Sequence, residues 1–244
     1  MPLLNIIKLD AISSTNDYLK KKYKLSSCKD GDIIWTKEQT KGKGQRENRW
    51  ISQKGKSLTV SFYKEFDQLI VSNSFMLNAI VSLSIVNTLK KTGLKEVRIK
   101  WPNDIMAGNK KIGGVLIENF IKSKFICSSI IGIGLNINEE NFQDLPNATS
   151  LFLETNEKMK LKKILNILIQ ELFKSFNLLN DKQNNFLNMY SSSLWKLNII
   201  TNFKQKNNLF KAKVKGISLL GNLILEMSDG SISDFNCNEI KMIY

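Results

Sequence analysis

The 244-residue sequence contains no histidine, and cysteine and proline are scarce. Without histidine, neither a Ser-His-Asp hydrolase nor a histidine-ligated zinc site is possible. The three cysteines, Cys28, Cys127 and Cys237, lie far apart and form no CxxC pair. Their odd number and spacing exclude a disulfide framework and a zinc cluster. Any catalysis must use lysine, arginine, carboxylates, backbone N–H groups or a hard metal ion such as Mg²⁺ held by oxygen atoms.

Long apolar runs are also missing. No run reaches the about 18 residues needed to span a bilayer, and residues 1–8 turn polar too quickly for a signal peptide. Hydrophobic residues make up 42% and charged residues 24% of the chain, which excludes disorder of the whole protein. We expect a cytoplasmic protein that does not bind membranes.

The net charge is strongly positive, at +14. One interpretation is an anionic partner such as a nucleic acid, a nucleotide or an acidic protein. The other is compositional drift, since lysine, asparagine and isoleucine are abundant along the whole chain, as an AT-rich coding sequence would give. The charge is not collected in one arm, so both interpretations stay open.

Hydrophobic periodicity predicts alternating helices and strands, followed by a change of character after Asn198. Predicted helices span residues 13–23, 73–92, 161–179 and 186–197, and predicted strands span 32–36, 57–63, 97–100, 105–107, 112–120 and 125–138. Five short strands follow, at 199–203, 209–217, 222–226, 231–236 and near Ile240, with tight turns at Gly221-Asn222 and Asp229-Gly230. These short strands predict a small β-barrel behind a main domain.

Three segments carry more polar chemistry than their surroundings explain. The predicted loop 38–56 contains GKGQRENRW, whose glycines allow backbone N–H groups to form an anion-binding nest beside basic side chains. It lacks the P-loop and GxGxxG patterns, and a solvated surface loop is the alternative.

The second segment is KWPND, followed by Lys111. Pro102 fixes a turn, and a hairpin through Gly108 is expected to bring Lys111 back toward Asp104. Such a pair can bind a phosphate and orient a nucleophile, or it can be an ordinary cross-strand ion pair. The third segment is Ser14-Thr15-Asn16, which either caps a helix or recognises a polar ligand group.

Taken together, these segments resemble biotin protein ligases. The matching stretches are SSTNDYL, TKEQTKGKGQRENRW with KGKSLTVSF, KWPNDI, KKIGGVLIEN and IGIGLNIN, in the family's order and spacing from about residue 8 to 138. The resemblance implies an α+β fold with a mixed sheet flanked by helices, related to class II aminoacyl-tRNA synthetases. It also implies a catalytic biotin- and ATP-binding domain over residues 1–197 and an SH3-like barrel over residues 198–244, which GNLILEMSDGS resembles.

The implied reaction has two steps. Biotin is activated by ATP as biotinyl-5′-AMP, with release of pyrophosphate, and is then transferred to a lysine of a biotin carboxyl carrier protein, such as an acetyl-CoA carboxylase subunit. Mg²⁺ is implied by ATP, without assigned ligands.

Some relatives carry an N-terminal DNA-binding domain, but this chain begins close to its SSTN motif, so we expect no DNA binding. We also expect a monomer or weak homodimer. The alternatives are a lipoate-protein ligase and a non-catalytic nucleic-acid-binding protein.

The resemblance also implies roles for individual residues. Lys111 would contact the α-phosphate, Asp104 would orient the incoming amine or take its proton, and Arg46 would lie beside the carboxyl and phosphate groups. Glu47 replaces a glycine that is common in the family's loop, and its charge is expected to oppose loop closure. The expected binding residues are Ser14, Thr15, Asn16 and Gln39 around the ureido group, Gly114 and Gly132 beside the rings, Gly42, Lys43, Gly44, Gln45 and Trp50 in the covering loop, and Asn103.

Overall fold

The centre of the fold is a seven-stranded mixed sheet. The computed structural model describes residues 4–46, 48–142, 145–179 and 183–243, apart from the side chains of residues 68, 183 and 184. The sheet contains β1 (Asn5–Ile12), β2 (Asp32–Gln39), β3 (Ser57–Ile70), β4 (Val97–Lys100), β5 (Asp104–Ala107), β6 (Lys110–Lys122) and β7 (Phe125–Asn136). The strand order is β1-β2-β3-β7-β6-β5-β4, and only β1 and β2 are parallel. The predicted mixed sheet is confirmed.

Helices cover both faces of this sheet. They are α1 (Thr15–Lys24), α2 (Ser74–Lys91), α3 (Leu151–Thr155), α4 (Leu161–Phe176) and α5 (Gln183–Ser192). Consecutive strand residues point to opposite faces, so Ile33 joins the large core under α2 and α4, whereas Ile34 packs with Leu19 of α1. Within the described residues, no helix combines the length and apolarity needed to span a membrane.

The C-terminal strands form a second, antiparallel sheet. It contains β8 (Ile200–Gln205), β9 (Asn208–Ile217), β10 (Leu223–Glu226), β11 (Ile232–Phe235) and β12 (Lys241–Met242), in the order β11-β10-β9-β8-β12. The five predicted short strands are confirmed, although the described pairings do not join β11 to β12 into a closed barrel. The boundary between residues 197 and 198 stays a prediction, because one continuous core contains residues of both sheets.

Contacts at Gly221 help to join the second sheet to the rest of the protein. The indole N–H of Trp101 donates to the Gly221 carbonyl at 2.8 Å. A Cβ atom at Gly221 would overlap the Phe75 ring of α2, so the turn between β9 and β10 lies directly against that helix. The second sheet is thereby placed next to the turn that follows β4.

Candidate functional site

A cleft of about 400 Å³ opens where the three polar segments meet. It lies between the start of α1, the loop at residues 40–50, the turn at residues 101–104 and the C-terminal segment 237–242. Every residue proposed from the sequence lines this cleft except Gly42: these are Ser14, Thr15, Asn16, Gln39, Lys43, Gly44, Gln45, Arg46, Trp50, Asn103, Asp104, Lys111 and Gly114, together with Gly132.

One end of the cleft is lined by a network of uncharged polar side chains, of which Asn16 also donates to the Glu118 carboxylate at 2.8 Å. Ser14 caps α1, since its hydroxyl accepts from the Asp17 N–H. The N–H and the hydroxyl of Thr15 both donate to the Gln39 side-chain oxygen, at 2.8 and 3.0 Å. The Ser61 hydroxyl lies 2.6 Å from both Thr15 Oγ1 and Asn16 Oδ1. Ser14 therefore caps the helix, and Ser14, Thr15 and Asn16 also line the cleft.

The floor of the cleft contains three glycines, Gly114, Gly132 and Gly134. Gly114 of β6 and Gly134 of β7 are directly opposite in the sheet register. A Cβ atom at Gly132 would overlap the side-chain amide of Asn16, and one at Gly134 would overlap the Trp50 indole. These glycines therefore allow both side chains to approach the sheet closely. The Trp50 Nε1 atom is buried there without a hydrogen-bond partner among the described residues.

Residues 40–46 and 48–50 belong to a loop whose two arms are hydrogen-bonded to each other. Its backbone is closed by Gly44 N–H to Asn48 O at 2.8 Å and by Trp50 N–H to Gly42 O at 3.1 Å. Gly42 does not line the cleft, because it is buried against the Trp50 backbone, where a Cβ atom would overlap the carbonyl oxygen. Glu47, whose charge was expected to oppose closure, lies outside the described residues.

Two basic side chains of this loop contact other parts of the protein. Lys43 Nζ lies 2.8 Å from an Asp17 carboxylate oxygen on α1. The Arg46 guanidinium donates to the Cys237 carbonyl of the C-terminal segment. The loop is thus connected to α1 by an ion pair and to the C-terminal segment by a hydrogen bond.

The other end of the cleft holds an ion pair. Lys111 Nζ lies 2.5 Å from Asp104 Oδ1, so the hairpin brings the two together as the sequence predicted. The backbone of Lys111 is fixed by hydrogen bonds to residues 147 and 149. The Asn103 amide donates to the Val115 carbonyl at 2.7 Å, which holds the turn against β6.

The structure adds site residues that the sequence reasoning did not assign. Lys100, Arg49, Lys241 and Cys237 also line the cleft. Burial lowers the pKa of Lys100 to about 8; the Asp104 carboxylate opposes this shift, while the charges of Lys111 and Lys241 add to it. Lys100 and Arg49 lie inside the quoted motifs, so the sequence contained a signal for them. No local signal marks Lys241, which follows the last turn of the chain.

The charge of the lining is one-sided. Among the described lining residues, Asp104 is the single acidic side chain. The basic ones are Lys43, Arg46, Arg49, Lys100, Lys111 and Lys241. Such an excess favours an anionic ligand, since like charges close together in a partly dry cleft repel one another.

The same residues do not fit a protein-held metal ion. No group of three or more His, Cys, Asp or Glu side chains that could hold a metal occurs among the described residues. The one carboxylate of the cleft is already paired with Lys111. A Mg²⁺ ion would find its oxygen ligands on a bound phosphate and on water.

Comparisons with known proteins identify the family of the chain. Residues 9–136 match the model of the biotin/lipoate A/B protein ligase family. The bifunctional ligase/repressor BirA of Salmonella typhimurium is 31% identical over 133 residues, which are 54% of this chain and 41% of that protein. BirA of Bacillus spizizenii is 28% identical over 238 residues, covering 93% and 70% of the two chains. The chain thus spans about two fifths of the length of the Salmonella relative.

A solved structure shows the same fold over nearly the whole chain. It is the biotin protein ligase of Aquifex aeolicus in complex with biotin and ATP, with a TM-score of 0.82 and 24% sequence identity over 98% of both chains. The agreement includes both sheets and therefore supports the predicted α+β architecture with an SH3-like C-terminal region.

Proposed function

Because the chain belongs to the biotin/lipoate A/B protein ligase family, we propose that it is an ATP-dependent biotin–protein ligase. In the first step, a biotin carboxylate oxygen bonds to the α-phosphorus of ATP and pyrophosphate leaves. In the second, a lysine amine of a biotin carboxyl carrier protein bonds to the carbonyl carbon of biotinyl-5′-AMP. The bond to the phosphate oxygen then breaks, AMP leaves, and the amine loses a proton.

One observation carries this proposal: an uncharged polar end and a cationic end share one glycine floor. Biotin has matching parts, a polar ureido group, apolar rings and a carboxylate. We place the ureido group against Ser14, Thr15, Asn16 and Gln39, and the rings along Gly114 and Gly132. The carboxylate then points toward the lysines, where ATP would bind.

The first step needs positioning and charge stabilisation, because both reacting groups belong to the substrates. Lys111 would contact the α-phosphate, where negative charge increases during attack. Lys43 and Arg46 would contact the carboxyl and phosphate oxygens from the loop, beside the backbone N–H groups of Gly44 and Gln45. This requires Lys43 and Arg46 to exchange their present partners, Asp17 and the Cys237 carbonyl, for the ligand. The Gly44 N–H would likewise have to leave the Asn48 carbonyl. Mg²⁺ would enter with ATP, bound to its phosphates.

The second step needs an amine that is oriented and then deprotonated. Asp104 is the one carboxylate among the described lining residues, and Asn103 holds its turn against β6. Asp104 would orient the incoming lysine amine, while the Lys111 ammonium leaves Asp104 and contacts the phosphate.

We also retain, as proposals, the division into residues 1–197 and 198–244 and a monomeric or weakly dimeric state.

The test is transfer of label. The protein is incubated with labelled biotin, ATP and a biotin carboxyl carrier domain, and a carrier with its acceptor lysine replaced by arginine is the control. We expect label on the wild-type carrier only, and only with ATP present. Lipoate offered in place of biotin should not be transferred. Absence of biotin transfer, or preferred transfer of lipoate, would refute the proposal.

A further inference from the structure

A charged pair lies directly behind the uncharged polar end of the cleft. Lys20 Nζ of α1 lies 2.5 Å from Glu118 Oε1 of β6, and the two side chains are 34% and 27% exposed. Neither residue lines the cleft. The second carboxylate oxygen, Glu118 Oε2, accepts a hydrogen bond from the side-chain amide of Asn16, which does line it. Glu118 is therefore connected to the cleft through Asn16.

The sheet places Glu118 beside Asn16. Leu116 and Glu118 are two positions apart on β6, so their side chains face the same side of the sheet. Leu116 is opposite Gly132 of β7 in the register. A Cβ atom at Gly132 would overlap Asn16 Oδ1, so this oxygen lies against the glycine floor. The Asn16 amide thus has the floor on one side and the Glu118 carboxylate on the other.

The carboxylate determines which end of the Asn16 amide faces the floor. Carboxylate oxygens only accept hydrogen bonds, so the NH2 group of Asn16 must point to Glu118. The amide oxygen then points away, where it accepts from the Ser61 hydroxyl at 2.6 Å. A carbonyl oxygen can accept two hydrogen bonds, and Ser61 supplies one among the described residues. One lone pair of Asn16 Oδ1 is thereby left for a ligand.

From these contacts we propose that Glu118 is a positioning residue, which holds the Asn16 amide with its oxygen toward the ligand and so selects a ring N–H. The ureido group of biotin has two such N–H groups, whereas a ring oxygen in their place cannot donate. An Asn16 amide turned over would present its own N–H to the ureido N–H, and both donors would stay unpaired in a buried site. This inference rests on the proposed function for the identity of the ligand.

The experiment measures biotin affinity by calorimetry in the wild type, in Glu118→Gln and in the double variant Lys20→Met/Glu118→Gln. The glutamine has one side-chain oxygen, which the Lys20 ammonium attracts, so the glutamine NH2 group faces Asn16 and turns its amide over. We expect biotin to bind about tenfold more weakly, the effect of one lost hydrogen bond in a buried site. In the double variant the ammonium is absent and the glutamine oxygen can accept from Asn16. Biotin affinity should then return to within threefold of the wild type.

Two single variants are the controls. Lys20→Met removes the ion pair but leaves the Glu118 carboxylate to accept from Asn16, so biotin affinity should stay within threefold of the wild type. Glu226→Gln removes a carboxylate of similar exposure, 29%, which pairs with Lys213 and does not line the cleft, and it should have no effect.

Specificity is tested with two biotin analogues, each with oxygen in place of one ureido N–H. The wild type should bind at least one of them more weakly than biotin, and Glu118→Gln should reduce that preference by at least threefold. A loss of packing alone would weaken biotin and the analogues equally.

A measurement without ligand separates this inference from the proposed function. NMR should show NOE contacts of the Asn16 NH2 protons with Glu118 in the wild type and with the Gly132 α-protons in Glu118→Gln. Unchanged contacts in Glu118→Gln, or a biotin affinity within twofold of the wild type, would overturn the role of Glu118 even if biotin is transferred. The same holds if the double variant binds biotin as weakly as Glu118→Gln. If the amide turns over as expected but the wild type binds no biotin, Glu118 still positions Asn16 and the ligase proposal fails.

Discussion

Replacing Lys111 by alanine is expected to slow formation of biotinyl-adenylate by about 100-fold or more. Removing one preorganised group that stabilises developing charge typically costs 10²- to 10³-fold in rate. The effect on folding should be much smaller, because the Lys111 and Asp104 side chains are 33% and 22% exposed. An ion pair with this exposure contributes no more than about 1 kcal/mol to the free energy of unfolding. The Tm should therefore fall by about 2–4 °C at most.

The assay is pyrophosphate release with biotin and ATP, alongside an independent measurement of biotin affinity. Lys110→Ala is the control, since Lys110 is the preceding residue of β6 and does not line the cleft. Biotin affinity should stay within about threefold in both variants, because the ureido end of the cleft is unchanged. Release by Lys111→Ala at a rate within threefold of the wild type would remove Lys111 from the chemistry. An equal loss in Lys110→Ala would show that the hairpin itself had moved.

Three further predictions concern other parts of the site. Gly132→Ala places a methyl group in the Asn16 amide, so biotin affinity by equilibrium dialysis should fall at least about tenfold; unchanged affinity would refute the placement of the ureido group. Pyrophosphate affinity should fall between about pH 7 and pH 9 as Lys100 loses its proton near pH 8, because the anion binds the protonated amine; an affinity by calorimetry that does not fall over this range would contradict this. Tyr190→Phe removes the 2.7 Å hydrogen bond to the Pro102 carbonyl, so the free energy of unfolding, measured by thermal denaturation, should fall by about 1 kcal/mol. An unchanged free energy of unfolding would show that this bond does not stabilise the turn.

The sequence predicted those elements whose apolar residues repeat with a clear period. Helices α2 and α4 and strands β4 to β7 lie where the pattern placed them. Strand β1 was missed, because it is an edge strand with mostly exposed residues, and its pairing with β2 is a tertiary contact. Helix α3 was missed as well, since five residues give too short a window for a helical period.

The site was predictable where its residues are adjacent in the chain. The KWPND turn and the loop each contain several functional side chains in one short stretch, and the hairpin through Gly108 determines that Lys111 faces Asp104. The contribution of the C-terminal segment was not predictable in this way. Arg46 and Cys237 are 191 positions apart, so no local pattern predicts their contact. Lys241 lies in a short strand, and its sequence context does not distinguish it from other surface lysines.

The glycine floor has a consequence for how such a protein tolerates mutation. Most core positions of a protein accept a substitution by another apolar side chain of similar volume. At Gly132 and Gly134 no substitution fits, since even the methyl group of alanine would overlap the Asn16 amide or the Trp50 ring. The shape of this surface therefore depends on two missing side chains, and it is less tolerant of substitution than the lysines and isoleucines around it.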